Sequence, residues 1–305
     1  MPSLRVAPIL LFIVLSYGLA WLAALPLWLH GGLAHPLFPL WVVLMMLTPA
    51  VSAIVVTKIT EPGARPVEAF ALNRWKPFKR LLAFGIAALA GSFAIHAVAL
   101  LIGAGLGLYE FDLHRFSGMK ELLDTKLAAY PEARAQLPPL NLLLVVQLVA
   151  LVPGAIVNTL PALGEEIGWR SWLLPRLLPL GTFPALLISG VIWGLWHAPL
   201  ILLGYNYGDI PWGKSLLCMT LMCVALTPFI SWLRLSSLSV WPAALAHGAF
   251  NAAGSLYLLL GSARLKPNLT QATVFGWTGW IFPLLVGVVL FRFFPYHRGT
   301  SQKLC

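Results

Sequence analysis

Charge is scarce in this sequence. Only 10% of its 305 residues are Asp, Glu, Lys or Arg, against about 25% in an ordinary soluble domain. None interrupts residues 6–57, 81–109, 135–164, 177–208, 215–233, 235–263 or 267–291. That pattern excludes a water-soluble globule. Cysteine is nearly absent: Cys218 and Cys223 fall within one apolar run and Cys305 is the last residue. Three such residues make neither a disulfide framework nor a CxxC metal site, and Cys305 does not complete a CAAX prenylation signal. Internal repeats, low-complexity tails and the HExxH spacing of helical zinc proteases are missing as well.

What remains is apolar. The chain is 59% hydrophobic with a mean hydropathy of +0.85, and about 20 apolar residues span a bilayer as a helix. The first charge-free stretch is too long for one helix and is divided by HGGLAHP (His30 to Pro36). Eight spans are therefore expected, near 8–29, 37–58, 81–108, 140–165, 182–204, 215–233, 238–261 and 272–291. The fold class is all-α, a polytopic membrane helix bundle of about eight transmembrane helices. Residues 1–305 read as one integral membrane domain, with 140–261 as its catalytic core. The first apolar run is too long for a cleaved signal and is taken as a retained span. In the one sizeable polar insert, Tyr109 to Pro139, the stretch SGMKELLDTKLAAY suits an amphipathic helix at the interface or a solvated connector.

The net charge of +10 does not indicate nucleic acid. The basic residues stand in loops beside apolar helices, where the positive-inside rule accounts for them. With eight helices and the N-terminus inside, inner segments hold 13 of the 20 Lys and Arg, six of them in residues 58–80. The outer segments hold seven. The bias favours both termini in the cytoplasm, in what reads as a bacterial cytoplasmic membrane protein.

Two adjacent glutamates and an arginine break the apolar pattern in GEEIGWRSWLL (Gly164 to Leu174). Ionisable groups in a membrane helix cost about 2.5–3.5 kcal/mol each on insertion scales, so they face a cavity or a partner. Glu166 and Arg170 are four apart and can pair. Glu165 points about 100° away and is left outside that pair. His197 lies in the fifth span, and His247 and Asn251 share one face of the seventh. Their depths agree to within about one turn when each is measured from the nearest turn at 1.5 Å per residue. A carboxylate beside two imidazoles and an amide suits water activation: the carboxylate takes a proton, one imidazole relays it, and the other donors stabilise an oxyanion. The same Glu165, His197 and His247 could instead hold zinc as a His₂Glu set with an open water position. Each group also has a plain reading: Glu166–Arg170 as a structural ion pair, His197 as a hydrogen-bonded interior histidine, His247 and Asn251 as interhelical glue. His96 is assigned to structure. Together the groups favour a functional cavity.

These motifs, in this order, resemble the CPBP family of CAAX-processing and bacteriocin-processing (Abi) membrane endopeptidases, marked by EExxxR, FxxxH and HxxxN on successive helices. Glu165 to Arg170 matches the first motif and His247 to Asn251 the third. Trp193 to His197 matches the second with Trp in place of Phe, a change expected to affect packing alone. The resemblance covers roughly 140–255. It implies an intramembrane endopeptidase of the Ras-converting type that removes the last three residues of prenylated proteins. Glu165 would activate water, His197 would be the second-motif histidine, and His247 with Asn251 would stabilise the oxyanion. Glu166 and Arg170 would support the site. It further implies a glutamate-type mechanism with no cofactor, zinc being the alternative. The partners expected are a peptide or prenylated-protein C-terminus and the lipid bilayer, with no nucleic acid.

Two other functions compete. Intramembrane Glu and His also mark transporters, although repeat symmetry is missing here. A non-catalytic scaffold or immunity protein is the other, and the complete motif set argues against it. The catalytic mouth is expected on the side of the turns flanking Pro175 and Leu238.

Overall fold

The eight charge-poor segments all form helices. In chain order they are α1 (Val6–Leu29), α2 (Phe38–Thr60), α3 (Phe78–Gly105), α4 (Leu140–Glu166), α5 (Thr182–Trp196), α6 (Trp212–Ser237), α7 (Trp241–Ala252) and α8 (Trp277–Phe293). The structure is a computed structural model describing residues 4–296; Cys305 and the last basic residues lie outside the described residues. Six of the helices are long and apolar enough to cross a bilayer, counting α4 with its extension to Leu180 and α7 with its extension to Leu260. Helices α5 and α8 are shorter, at 15 and 17 residues. Val14, Leu22, Val149, Val157, Leu160, Leu285 and Val288 stand exposed on the bundle's outside. Such an apolar girdle is at rest only in hydrocarbon, and the chain is an all-α integral membrane protein.

Helix α7 lies between α3 and α4, α6 packs against α5 and α8, and α2 leans on α1 and α4. Small residues set these approaches, since apolar helices in lipid gain their association from close packing. At Gly248 of α7 an added Cβ would come within 2.6 Å of the Ala155 carbonyl oxygen of α4. Gly164, at the far end of α4, stands equally close to Met46 of α2. An added Cβ at Gly168, just past the glutamates, would meet Pro49 of α2, so α4 is pressed against α2 on both sides of its carboxylates and against α7 before them.

Three helix ends differ from the sequence expectation. Helix α4 does not stop near 165 but continues as a wide π-turn over Ile167–Leu173 and then as Leu174–Leu177. Pro175 lacks the N–H that an α-turn would aim at the Ser171 carbonyl, and the wide turn precedes it. Helix α5 ends at Trp196, short of 204, because Pro199 cannot donate to Leu195. Its first neighbour His197 sits at the break, followed by the short helix Ala198–Ile201. Helix α8 starts at Trp277, five residues late, after a turn in which Gln271 accepts its partner at Thr278 N–H.

In the polar insert the helix forms, over Ser117–Lys126. Met119 is buried against Ala253, Leu256 and Leu259 at the end of α7, so the helix docks on protein. Asp112 staples its start: Oδ2 accepts from the Ser117 hydroxyl at 2.5 Å and Oδ1 from the Arg115 amide at 2.9 Å. The Ser117 hydroxyl, joined by that amide, pulls the Asp112 carboxyl down to about 2. A depressed carboxyl contributes above its unfolded value, about 3.8, and the contribution is lost as the pH falls through the folded one.

Candidate active site

Glu166 ends the regular part of α4 and is fully buried, as is Arg170 one turn on. Arg170 Nη1 donates to Glu166 Oε1 at 3.1 Å, and His247 Nδ1 donates to the same oxygen at 2.8 Å. Because a carboxylate only accepts, that contact requires a proton on Nδ1 of the His247 ring. The α4–α7 crossing at Gly248 brings the two together. Glu166 thus holds the third-motif histidine through this contact.

Glu165 has a partner the sequence reading missed. Trp193 Nε1–H, from α5, donates to Glu165 Oε2 at 2.7 Å. The guanidinium of Arg170 lies over the same indole, 4.0 Å from the ring centre. The expectation that Trp in place of Phe changes packing alone is therefore corrected: a benzene ring has no donor, and an indole has one. Glu165 stands outside the Arg170 pair, as expected, but is not unpartnered.

His197 is held at the break after α5, its Nδ1–H on the Trp193 carbonyl at 2.9 Å. Its free nitrogen is therefore Nε2. Asn251 lies one turn beyond His247. Glu165, His197, His247 and Asn251 line one cavity of about 460 Å³, within the range of small-molecule sites. His96, assigned to structure, donates from Nδ1 to the Ser92 carbonyl at 3.0 Å and packs on Phe250.

Val42, Met45 and Met46 of α2 and Met219, Met222 and Leu226 of α6 supply apolar walls. Thioether-rich walls adapt to irregular apolar guests. Sequence reading missed Asn158 and Tyr205, which also line the cavity. The available signal for Asn158 was its spacing, seven residues before Glu165 and so on the same helix face. No such signal marks Tyr205, which comes from the irregular chain after α5.

The cavity lining reaches away from the turns beside which the mouth is expected. The lining runs on through Tyr205 and Asn206 to Gly254, Ser255, Tyr257 and Leu258 beyond α7, and to Phe275 before α8. These residues lie at the bundle end opposite the 178–181 and 238–240 turns.

Among the described residues no three His, Cys, Asp or Glu side chains stand close enough together to hold a metal ion, while the bonded Nδ1 atoms of His197 and His247 leave Nε2 of each ring open.

Comparison with known proteins places this arrangement. Residues 144–253 match the family model described as type II CAAX prenyl endopeptidase, Rce1-like. CAAX prenyl protease 2 from Methanococcus maripaludis is 26% identical over 141 residues, which are 46% of this chain and 50% of that protein. The chain thus spans about half the length of the curated relative it matches. The matched segment contains all three motifs, and over residues 144–253 the chain is similar to the Rce1-like CAAX prenyl endopeptidases.

Proposed function

We propose that this protein is a membrane endopeptidase that hydrolyses a peptide bond with water activated by Glu165. The observation that supports it is the convergence of Glu165, His197, His247 and Asn251 on one cavity wall set, two of them pre-oriented through Nδ1. Glu165 accepts a proton from water as its oxygen bonds to the carbonyl carbon. His197 Nε2, the nitrogen left free by the Trp193 carbonyl, holds that water by accepting its second hydrogen. The oxyanion faces Asn251 and His247 Nε2, the latter protonated in the imidazolium that pairs with Glu166. The C–N bond then breaks, and the proton taken by Glu165 passes to the leaving amine. Residues 140–261 carry the chemistry, with Glu166 and Arg170 in support.

The relative's name points to prenylated CAAX tails as a substrate class, and the thioether-rich walls suit a lipidated or otherwise apolar peptide. Purified protein given a quenched farnesylated CAAX peptide is expected to cleave it with EDTA present and without stoichiometric zinc. One zinc per chain, lost together with activity and restored on adding zinc, would overturn the cofactor-free mechanism. No cleavage of any such peptide would sink the endopeptidase reading.

The charge bias supports an orientation with both termini cytoplasmic. In that orientation the mouth, at the opposite end from residues 58–80, faces outward, and the substrate is a segment presented on that side. An impermeant thiol reagent should then label Ser117→Cys in intact cells and Thr182→Cys after permeabilisation only. The reverse pattern would turn the mouth to the cytoplasm and make cytoplasmic lipidated tails the substrates.

A further inference from the structure

The two adjacent glutamates sit on one helix, yet they are joined through a side chain of another. Glu166 holds Arg170 at 3.1 Å. Arg170 stacks on the Trp193 indole at 4.0 Å, and the indole N–H reaches Glu165 Oε2 at 2.7 Å. The His247 ring also packs edge-on against Trp193, with centroids 5.4 Å apart. All five groups are buried. The indole thus touches a member of each of the three motifs.

We propose that Trp193 is a positioning residue of the reaction: its N–H fixes the Glu165 carboxylate so that Oε1 alone serves as the base. A free carboxylate rotates about its last bond and offers either oxygen to water. With Oε2 committed to the indole, and the indole plane held by the guanidinium above it, one oxygen and one lone-pair direction remain for the cavity. Among the described residues Oε1 has no protein partner, while Glu165 lines the cavity. Fixed geometry of this kind keeps the nucleophilic water in line with the carbonyl carbon, where small displacements cost large factors in rate. A phenylalanine at this position fills the same space against Arg170 and leaves both oxygens loose. The motif departure in this chain is therefore a gain of a donor.

The rate part of this inference rests on the endopeptidase reading, but the hydrogen bond does not. Replacing Trp193 by 3-benzothienylalanine keeps the bicyclic shape and exchanges the N–H for sulfur. That protein and Trp193→Phe are both expected to lose about 10- to 100-fold in kcat, as for a hydrogen bond to a charged group, with KM within about twofold. Full kcat in the benzothienyl protein beside a loss in Trp193→Phe would show that shape alone matters and overturn the proposal. In a ¹⁵N-indole spectrum the Trp193 Hε1 resonance, identified by its loss in Trp193→Phe, is expected downfield and to move upfield in Glu165→Gln. A resonance unmoved by Glu165→Gln would overturn it as well. If the parent protein cleaves no peptide, the endopeptidase reading fails, and the indole resonance still decides whether the carboxylate is held.

Discussion

Glu165→Gln is expected to abolish peptide cleavage while leaving a protein that inserts, purifies and unfolds as the parent does. The amide is nearly the same size as the carboxylate, and its oxygen still accepts from Trp193 Nε1–H, the contact of 2.7 Å that orients the side chain. What it lacks is basicity. General-base catalysis contributes about 10²–10⁴-fold, and the loss at this residue should reach the upper end because no other carboxylate takes its place. Glu166 is the nearest, but its Oε1 already accepts from Arg170 and His247. Steady-state cleavage of the farnesylated peptide measures this directly. Near-normal turnover in the Gln protein would remove Glu165 from the base role and transfer it to Glu166.

Arg170→Met should produce the largest loss of stability of any substitution in the bundle. Arg170 and Glu166 are both fully buried, and among the described residues Glu166 Oε2 has no partner at all. Removing the cation leaves an anion buried with His247 as its one remaining donor. Breaking a buried pair from one side costs about 3–5 kcal/mol, whereas replacing both partners together costs far less. The Met variant should therefore unfold early in denaturant titrations in mixed micelles, and Arg170→Met with Glu166→Gln should recover most of the loss. A single variant as stable as the parent would mean that the buried Arg170–Glu166 pair contributes nothing to the stability of the bundle.

The bundle was legible because charge is so unevenly spread. Seven charge-free runs and one HGG break located all eight helices, since a bilayer forbids charges that a soluble fold would scatter. The motif residues were legible for the same reason: Glu165, Glu166 and Arg170 stand out only because their surroundings are empty. Helix ends were less legible. The pattern of apolar residues does not register a π-turn, so it ends α4 near 165 although the helix runs on to Leu177. Nor does it register the break at His197, where Pro199 two residues later removes a backbone donor. His197, expected deep within a span, therefore stands just past the end of one.

Trp193 shows a different limit. Its spacing from His197 was visible, but which atom of the ring would meet a carboxylate 28 residues earlier in the chain is a matter of how α4 and α5 cross. The same holds for Tyr205, whose place on the wall depends on irregular chain after α5.

The central claim is that Glu165 activates water instead of attacking the peptide itself. A single turnover of excess protein on the farnesylated peptide in H₂¹⁸O tests it most directly. The account predicts one heavy oxygen in the new carboxylate of the N-terminal fragment and none in the protein. Heavy oxygen found in the Glu165 carboxylate after that turnover, with light oxygen in the released fragment, would identify a covalent anhydride and contradict the account.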